Sequence, residues 1–219
     1  MRVGLRVFRF PPVLIRLLSA IEYARADSDL VWRVPESVTL REAAGVTATL
    51  ATAAQSLFHI LDLPYPVQSP RESLSASAQT KWILIYGGSS SVGLFAIQLA
   101  KMAAFNVIAV CSPRNFELVK RHGADAVVDY RDTQAAFNEI KKTTSSSLTV
   151  ALDCIGEGDS TVICIEALEG EGGRGIVSVG PPSDAATHLA AERNVKLDRV
   201  MAFTLFGQVS RKLSASFRC

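Results

Sequence analysis

A change in the pattern of apolar residues near the middle of the chain predicts a strand, a tight turn and a helix. The strand is the unbroken apolar run WILIY at residues 82–86, which is typical of a strand buried on both faces of a parallel sheet. Gly87 and Gly88 follow, and a serine cluster separates them from a segment with helical periodicity that begins at Val92. The unpaired N–H groups at the start of such a helix favour an anion, most often the pyrophosphate of a dinucleotide.

The same alternation continues along the chain and predicts an α/β fold, a doubly wound parallel sheet covered by helices on both faces. Further strands are predicted at 106–111, 126–129, 148–153 and 175–179, and helices at 116–122, 135–142 and 161–168. One of these strands ends in Asp153, Cys154, Ile155 and Gly156, at the edge of the sheet where ligands bind. For Asp153 the alternative is that it caps the following helix. Upstream, residues 38–61 are rich in Ala, Leu and Thr with one internal glycine, and they predict a pair of helices.

Three other motifs do not fit the glycine turn. A nucleoside triphosphate loop needs Lys and then Ser or Thr after its last glycine, whereas Leu94 and Phe95 follow Gly93. No serine lies in a Gly-x-Ser-x-Gly elbow, and no tyrosine precedes a lysine by four residues, which excludes the catalytic pair of short-chain dehydrogenases. A tight turn that binds nothing stays open as the alternative.

The second predicted strand ends about 20 residues after the glycines, where dinucleotide-binding folds recognise the adenosine ribose. An acid there would bind the 2′-hydroxyl of NAD, but this chain has Ser112, Pro113, Arg114 and Asn115. Hydroxyl, amide and guanidinium groups donate hydrogen bonds to a phosphate, so the segment favours NADP(H) as the cofactor. The alternatives are a solvated charge at Arg114 and helix-capping roles for Ser112 and Asn115.

Composition narrows the classes of partner. A formal net charge of +2 without a long basic run argues against nucleic acid, and the chain has no apolar stretch of about 18 residues that would predict a membrane span. The cysteines at positions 111, 154, 164 and 219 have no metal-like spacing. They predict reduced thiols, no metal site and a cytoplasmic location. No catalytic residue is assigned.

A family resemblance is carried by four segments, in the order YGGSSSVGLFAIQLAK, CSPRNFELVKRHGADAVVDYRD, ALDCIG and TLFG. They resemble the medium-chain dehydrogenase/reductase superfamily, in particular its zinc-free quinone-reductase-like branch and the fungal trans-acting enoyl reductases that work beside polyketide synthases. The resemblance runs from about residue 22 to about residue 207 and is specific over residues 82–130. It implies a Rossmann-type dinucleotide-binding domain.

The resemblance also implies the residues that contact cofactor and substrate. The turn at Gly87 and Gly88 would admit the pyrophosphate, which would contact Ser89, Ser90, Ser91, Val92 and Gly93. The 2′-phosphate would contact Ser112, Pro113, Arg114 and Asn115, with Tyr130 packed beside it, and the nicotinamide end would lie near Val179, Gly180, Leu205 and Phe206. The substrate channel would lie near Thr47, Ala48, Thr49, Leu50, Ala51, Thr52, Ala53 and Ala54.

Three segments follow from the same resemblance. Members of the superfamily place roughly one hundred residues of β-rich, GroES-like catalytic domain before the position of residue 22. Residues 1–37 are therefore expected to hold an atypical N-terminal segment with only a remnant of that domain. Residues 38–207 would form the dinucleotide-binding domain, and residues 208–219 an atypical C-terminal tail. Uncovered apolar surface would be compatible with a homo-oligomer.

The implied activity is NADPH-dependent reduction of the C=C bond of α,β-unsaturated enoyl thioesters in polyketide metabolism. The substrate would be a small-molecule or carrier-bound acyl group, with a polyketide synthase as a compatible partner. A quinone or enone reductase of the same superfamily is one alternative. A non-catalytic remnant that binds NADPH and turns over nothing is the other.

Overall fold

The computed structural model describes residues 33–66, 81–170 and 173–201. Their centre is a parallel sheet of six strands in the spatial order β3-β2-β1-β4-β5-β6. The strands are β1 (Trp82–Tyr86), β2 (Asn106–Val110), β3 (Ala126–Val128), β4 (Val150–Asp153), β5 (Arg174–Ser178) and β6 (Val195–Arg199). The chain builds outward from β1 in one direction and from β4 in the other, so a crevice opens between the carboxyl ends of these two strands.

A helix lies between each strand and the next along the chain. The helices are α1 (Leu40–Ala54), α2 (Ser91–Met102), α3 (Phe116–Arg121), α4 (Thr133–Thr144), α5 (Ser160–Ala167) and α6 (Asp184–Glu192), and α1 comes before the sheet. The predicted doubly wound α/β fold is confirmed. The elements predicted between residues 82 and 179 are all present, with ends that differ from the prediction by at most two residues.

Both faces of the sheet are covered, which explains the unbroken apolar runs in the sequence. On one face Ile83 and Ile85 pack in a cluster with Ile97 and the small residues of α2. On the other face Leu84 packs in a second cluster with Ile140 of α4 and residues of α5. Because successive strand residues point to opposite faces and both faces are dry, no position of β1 has to be polar.

The predicted helix pair over residues 38–61 is wrong. One helix, α1, continues through Gly45 and ends in a π-helical turn, Gln55–Ile60. A glycine inside a helix lowers its stability but does not end it, and Gly45 has no proline or cluster of turn residues beside it. The wider π-helical turn buries four consecutive residues, 55–58, which the narrow apolar face of an ordinary helix does not do.

The last helix and strand, α6 and β6, were not predicted. β6 has the sequence VKLDR, in which charged residues alternate with apolar ones, and it lies at the edge of the sheet. Lys196 and Asp198 form an ion pair along its exposed side at 2.9 Å. An edge strand carries such charges because only part of it is buried, and its sequence therefore resembles a surface loop.

The chain divides into two compact units, Met1–Ala48 and Thr49–Cys219, and the whole sheet belongs to the second. The division falls within α1, so the predicted segment boundaries at 37 and 207 stay predictions. None of the helices in the described ranges combines the length and the apolar character that a membrane crossing requires.

Candidate functional site

The turn between β1 and α2 is built on glycines because its backbone segments nearly touch. Gly87 has φ +72°, a conformation that favours glycine, and the N–H groups of Gly87 and Gly88 both donate to the carbonyl of Val110 on β2. A Cβ on Gly93 would lie 2.4 Å from the carbonyl oxygen of Gly87. The first turn of α2 therefore rests directly on the turn that precedes it.

Ser90 stands at a position where a glycine is not required. It is the N-cap residue of α2, with φ −72° and ψ 164°, and its hydroxyl oxygen accepts a hydrogen bond from the N–H of Gly93 at 3.0 Å. A serine in this conformation satisfies one of the free N–H groups at the start of the helix. The serine cluster is thus compatible with a tight turn and a well-capped helix.

A cavity of about 470 Å³ lies at the carboxyl end of the sheet, beside this turn. Four connections line it: the β1–α2 turn, the β2–α3 turn, the β4–α5 loop and, through Tyr130, the β3–α4 connection. Its lining residues are Tyr86, Gly87, Ser89, Val110, Cys111, Ser112, Arg114, Asn115, Tyr130, Ile155, Glu157, Asp159, Ser160 and Ile163. Its volume is within the range of small-molecule sites, about 300–1,000 Å³.

The β2–α3 turn presents hydrogen-bond donors to this cavity. The side-chain amide of Asn115 donates to the hydroxyl of Ser89 at 3.0 Å and so joins the two turns. The hydroxyl of Ser112 lies 3.4 Å from that of Tyr130. Arg114 is exposed and makes no ion pair within the described residues. The turn carries no carboxylate, so an anionic group could approach it without repulsion from this side.

The β4–α5 loop is held by Asp153, which is fully buried at the end of β4. Its Oδ1 accepts from the N–H groups of Ile155 and Gly156, at 2.9 and 3.1 Å, and its Oδ2 accepts from the hydroxyls of Ser160 and Thr161, both at 2.7 Å. Asp153 is not the N-cap of α5, which is residue 159. The alternative that Asp153 caps α5 is therefore wrong. Its carboxylate instead binds the loop and two hydroxyls beside the start of that helix.

Burial raises the pKa of Tyr86, at the end of β1, to about 12, and the neighbouring Cys164 and Asp153 add to the shift. The ring of Tyr86 lies 6.5 Å, centroid to centroid, from that of Tyr130. The phenol is therefore neutral at physiological pH and can act in the cavity only as a hydrogen-bonding group.

This shift predicts a pH dependence of stability. The pKa of Tyr86 is higher in the folded chain than in the unfolded chain, so the contribution is present below about pH 10 and is lost as pH rises toward 12. We expect the free energy of unfolding to fall by an amount on the order of 1–2 kcal/mol. The fall is smaller than the full pKa shift implies, because solvent at the cavity screens part of the effect. Urea unfolding between pH 9 and 12 should show a steeper decline for the wild type than for Tyr86→Phe. Equal slopes for the two proteins would contradict the assignment.

The structure brings together about a third of the predicted cofactor residues around the cavity. Those that line it are Gly87, Ser89, Ser112, Arg114, Asn115 and Tyr130. Gly88, Ser90 and Gly93 shape the adjoining turn without lining the cavity, Ser91 and Val92 belong to the first turn of α2, and Pro113 begins a short 3₁₀ turn. Their contacts with a cofactor stay predictions.

None of the predicted nicotinamide and substrate residues that the structure describes is among the residues that line this cavity. The N–H of Val179 donates to the carbonyl of Asp153, and a Cβ on Gly180 would lie 2.4 Å from the carbonyl oxygen of Gly156. Leu205 and Phe206 fall outside the described residues. The predicted substrate residues 47–54 all lie on α1, where Ala53 is completely buried in the core. Their roles stay predictions.

Sequence reasoning missed most of the β4–α5 wall. The sequence places Ile155 at the ligand-binding edge, but Glu157, Asp159, Ser160 and Ile163 also line the cavity, although they lie more than 60 residues after the glycine turn. The available signal was that this loop follows a buried strand at the carboxyl edge of the sheet. Only the strand order, which places β4 directly beside β1, brings the loop to the cavity.

The arrangement fits a dinucleotide. The start of α2 supplies backbone N–H groups beside the closely packed glycine turn, and the β2–α3 turn supplies donors about 20 residues further along the chain. Metal binding has no such support. Within the described ranges no three His, Cys, Asp or Glu side chains lie together as metal ligands do. Burial also raises the pKa of the Cys154 and Cys164 thiols, which disfavours the thiolate that a metal requires.

Comparisons with known proteins agree with this geometry. Residues 91–214 match the family described as zinc-binding dehydrogenase. The trans-enoyl reductase caaB of Aspergillus niger is 35% identical over 215 residues, which are 95% of this chain and 57% of that protein. The trans-enoyl reductase thnE of Trichoderma harzianum is 42% identical over 160 residues, 73% of this chain and 42% of that protein. The chain thus spans about half the length of the curated relatives it matches.

The fold has a counterpart among solved structures. The mycobacterial protein Rv1454c, solved in complex with NADPH, superposes with a TM-score of 0.62 at 24% sequence identity. The match covers 81% of this chain and 52% of that one. At this identity the likeness concerns the fold alone, and the family follows from the match over residues 91–214. The chain therefore belongs to the zinc-binding dehydrogenase family, within the medium-chain dehydrogenase/reductase superfamily.

Proposed function

We propose that this chain binds NADP(H) and forms the cofactor-binding part of an enoyl reductase that reduces the C=C bond of α,β-unsaturated thioesters. The observation that carries the cofactor assignment is the β2–α3 turn, where Ser112, Arg114 and Asn115 line the cavity and no acid stands at the ribose position. The reaction is inferred from the relatives, which are named trans-enoyl reductases.

The donor set of the cavity supports a 2′-phosphate. The hydroxyl of Ser112, the guanidinium of Arg114 and the phenol of Tyr130 can each donate a hydrogen bond to a phosphate oxygen. The carboxylates that line the cavity, Glu157 and Asp159, come from the β4–α5 loop and not from the ribose-recognising turn. A cofactor that places its 2′-phosphate at this turn would therefore meet donors rather than acids.

Bound NADPH supplies a hydride for the β-carbon of an α,β-unsaturated thioester. The residues of this chain would hold the cofactor: the pyrophosphate would lie at the glycine turn and the N-terminus of α2, and the β2–α3 turn would bind the adenosine end. A fixed cofactor holds its reactive atom in one place, and such positioning accounts for a large part of the rate of hydride transfer. No residue of this chain is assigned as the proton donor.

The family description implies zinc, but the residues described here do not fit a zinc site. Cys111, Cys154 and Cys164 are buried, and burial raises the pKa of each thiol. No group of metal-ligating side chains comes together in the described part of the chain. The proposed reaction accordingly uses no metal-dependent step.

Titration of the purified chain with NADPH and NADH, followed by nicotinamide fluorescence, tests the cofactor assignment. We expect NADPH to bind more tightly than NADH. Ser112→Asp should weaken NADPH binding at least about tenfold, because it places a carboxylate beside the 2′-phosphate, and should change NADH binding little. Ser145→Asp is the matched control, since it adds the same charge at the exposed end of α4, outside the cavity. Equal affinities for the two cofactors, or equal effects of both variants, would overturn the assignment.

Turnover tests the second half of the proposal. NADPH oxidation should be measured with a 2-enoyl thioester of N-acetylcysteamine and, separately, with a 1,4-benzoquinone. Faster oxidation with the thioester supports the enoyl reductase. Faster oxidation with the quinone favours the quinone-reductase alternative, and binding without turnover on either substrate indicates a non-catalytic NADPH-binding chain.

A further inference from the structure

The buried carboxylate of Asp153 joins three parts of the chain that meet at the cavity. Through its side chain it binds the backbone of Ile155 and Gly156 and the hydroxyls at the start of α5. Backbone hydrogen bonds at Asp153 and Cys154 also join β4 to the strands on both sides. The N–H of Cys154 donates to the carbonyl of Tyr86 on β1, and the N–H of Val179, just after β5, donates to the carbonyl of Asp153. Asp153 itself does not line the cavity.

These bonds determine where the β4–α5 loop runs. Two N–H groups converging on one carboxylate oxygen turn the chain sharply, and Gly156 takes up the turn with φ +66°. A Cβ on Gly156 would lie 2.3 Å from the nitrogen of Gly180, so the loop is also held against the segment that follows β5. The loop is thus held on this path by the carboxylate and by this one close contact.

The position of this loop decides the shape of one cavity wall. Ile155 is 43% exposed, and its side chain reaches so far over the glycine turn that a Cβ on Gly87 would lie 2.7 Å from it. Ile155, Glu157 and Asp159 thus form the wall that shares the cavity with Ser112 and Arg114. Without the carboxylate, two N–H groups and two hydroxyls would lose their acceptor. The loop would then lose the hydrogen bonds that hold it on this path.

We propose that Asp153 is the positioning residue of this cavity, and that its carboxylate sets the affinity for the adenosine half of a dinucleotide by holding the 154–159 loop in place. This inference rests on the proposed function, because it takes the end of β2 as the site of the adenosine ribose. The carboxylate acts through Ile155 and its neighbours and does not touch the ligand.

The experiment compares three variants by the affinity of their folded form for adenosine 2′,5′-bisphosphate, measured by calorimetry at 10 °C. Asp153→Ala should weaken binding by about tenfold or more, since a displaced wall loses contacts with the ligand. Asp153→Asn should bind within about threefold of the wild type, because its carbonyl can accept from the two N–H groups and its amide can donate to the two hydroxyls. Thr161→Val removes one hydroxyl of the network at a residue that does not line the cavity, and its affinity should fall between those of the other two variants. It also provides a milder variant if Asp153→Ala does not fold.

Asp125→Ala separates positioning from general stabilisation. Asp125 also accepts from a backbone N–H, that of Val107, and from Lys101, but it stands at the start of β3 and does not line the cavity. We expect Asp125→Ala to lower the melting temperature while the folded protein keeps its affinity. An unchanged affinity in Asp153→Ala, or an equal loss in Asp125→Ala, would overturn the inference alone. A wild type that binds neither NADPH nor the bisphosphate would overturn the proposed function and this inference with it.

Discussion

Replacing Gly93 with alanine is expected to weaken dinucleotide binding strongly and to destabilise the fold. The added Cβ would lie 2.4 Å from the carbonyl oxygen of Gly87 and 2.8 Å from the Cα and carbonyl carbon of Gly88. These are backbone atoms, which cannot swing aside as a flexible side chain can, so the helix and the turn must move apart. We expect the free energy of unfolding to fall by about 2–4 kcal/mol. Affinity for NADPH should fall by about a hundredfold, because the N–H groups no longer face one point.

Gly45→Ala is the matched control for this substitution. Gly45 also lies in a helix, but a Cβ there would meet nothing within 4 Å. Alanine is the better helix former, so this variant should be more stable than the wild type by about 0.5–1 kcal/mol and should bind NADPH equally well. Urea unfolding and fluorescence titration of both variants provide the check. A Gly93→Ala protein that keeps the stability and affinity of the wild type would show that the glycine is not required by close packing.

The sheet could be predicted because its strands are buried on both faces. Residues such as Ile83, Leu84 and Ile85 have no exposed side, and their apolar run between a polar loop and two glycines is a signal that few other structures share. β6 lacked this signal because it lies at the edge, where Lys196 and Asp198 are compatible with both a strand and a loop. Its pairing with β5 is a tertiary contact that local sequence does not encode.

The residues of the candidate site also fall into two groups: those that local sequence predicts, and those that only the strand order brings to the cavity. Ser89, Ser112 and Asn115 could be predicted because a glycine turn and a fixed spacing place them relative to one another. Glu157 and Asp159 could not, because they reach the cavity only through the adjacency of β1 and β4. Asp153 shows the limit most clearly: a carboxylate at a strand end predicts ligand contact or helix capping equally well. Only the structure shows that its carboxylate accepts four hydrogen bonds from the β4–α5 loop and the start of α5.

The π-helical turn after α1 is a further feature that the sequence pattern does not predict. A substitution in this turn is expected to lower the stability of the protein strongly. Leu57 is completely buried in the cluster that covers one face of the sheet, and Ser56 beside it donates to the carbonyl of Thr52. We expect Leu57→Ala to lower the free energy of unfolding by about 3–4 kcal/mol. The lost side chain leaves a cavity among strand and helix residues that can relax only in part.

His59→Ala is the control on the same turn, because His59 is exposed and its loss should change stability by less than about 0.5 kcal/mol. Urea unfolding of the two variants measures the difference, and equal stabilities would mean that Leu57 does not contribute to the core. If the expected difference is found, the turn is a part of the core that the apolar pattern conceals. A helical pattern predicts one buried face, whereas the wider turn buries four consecutive residues.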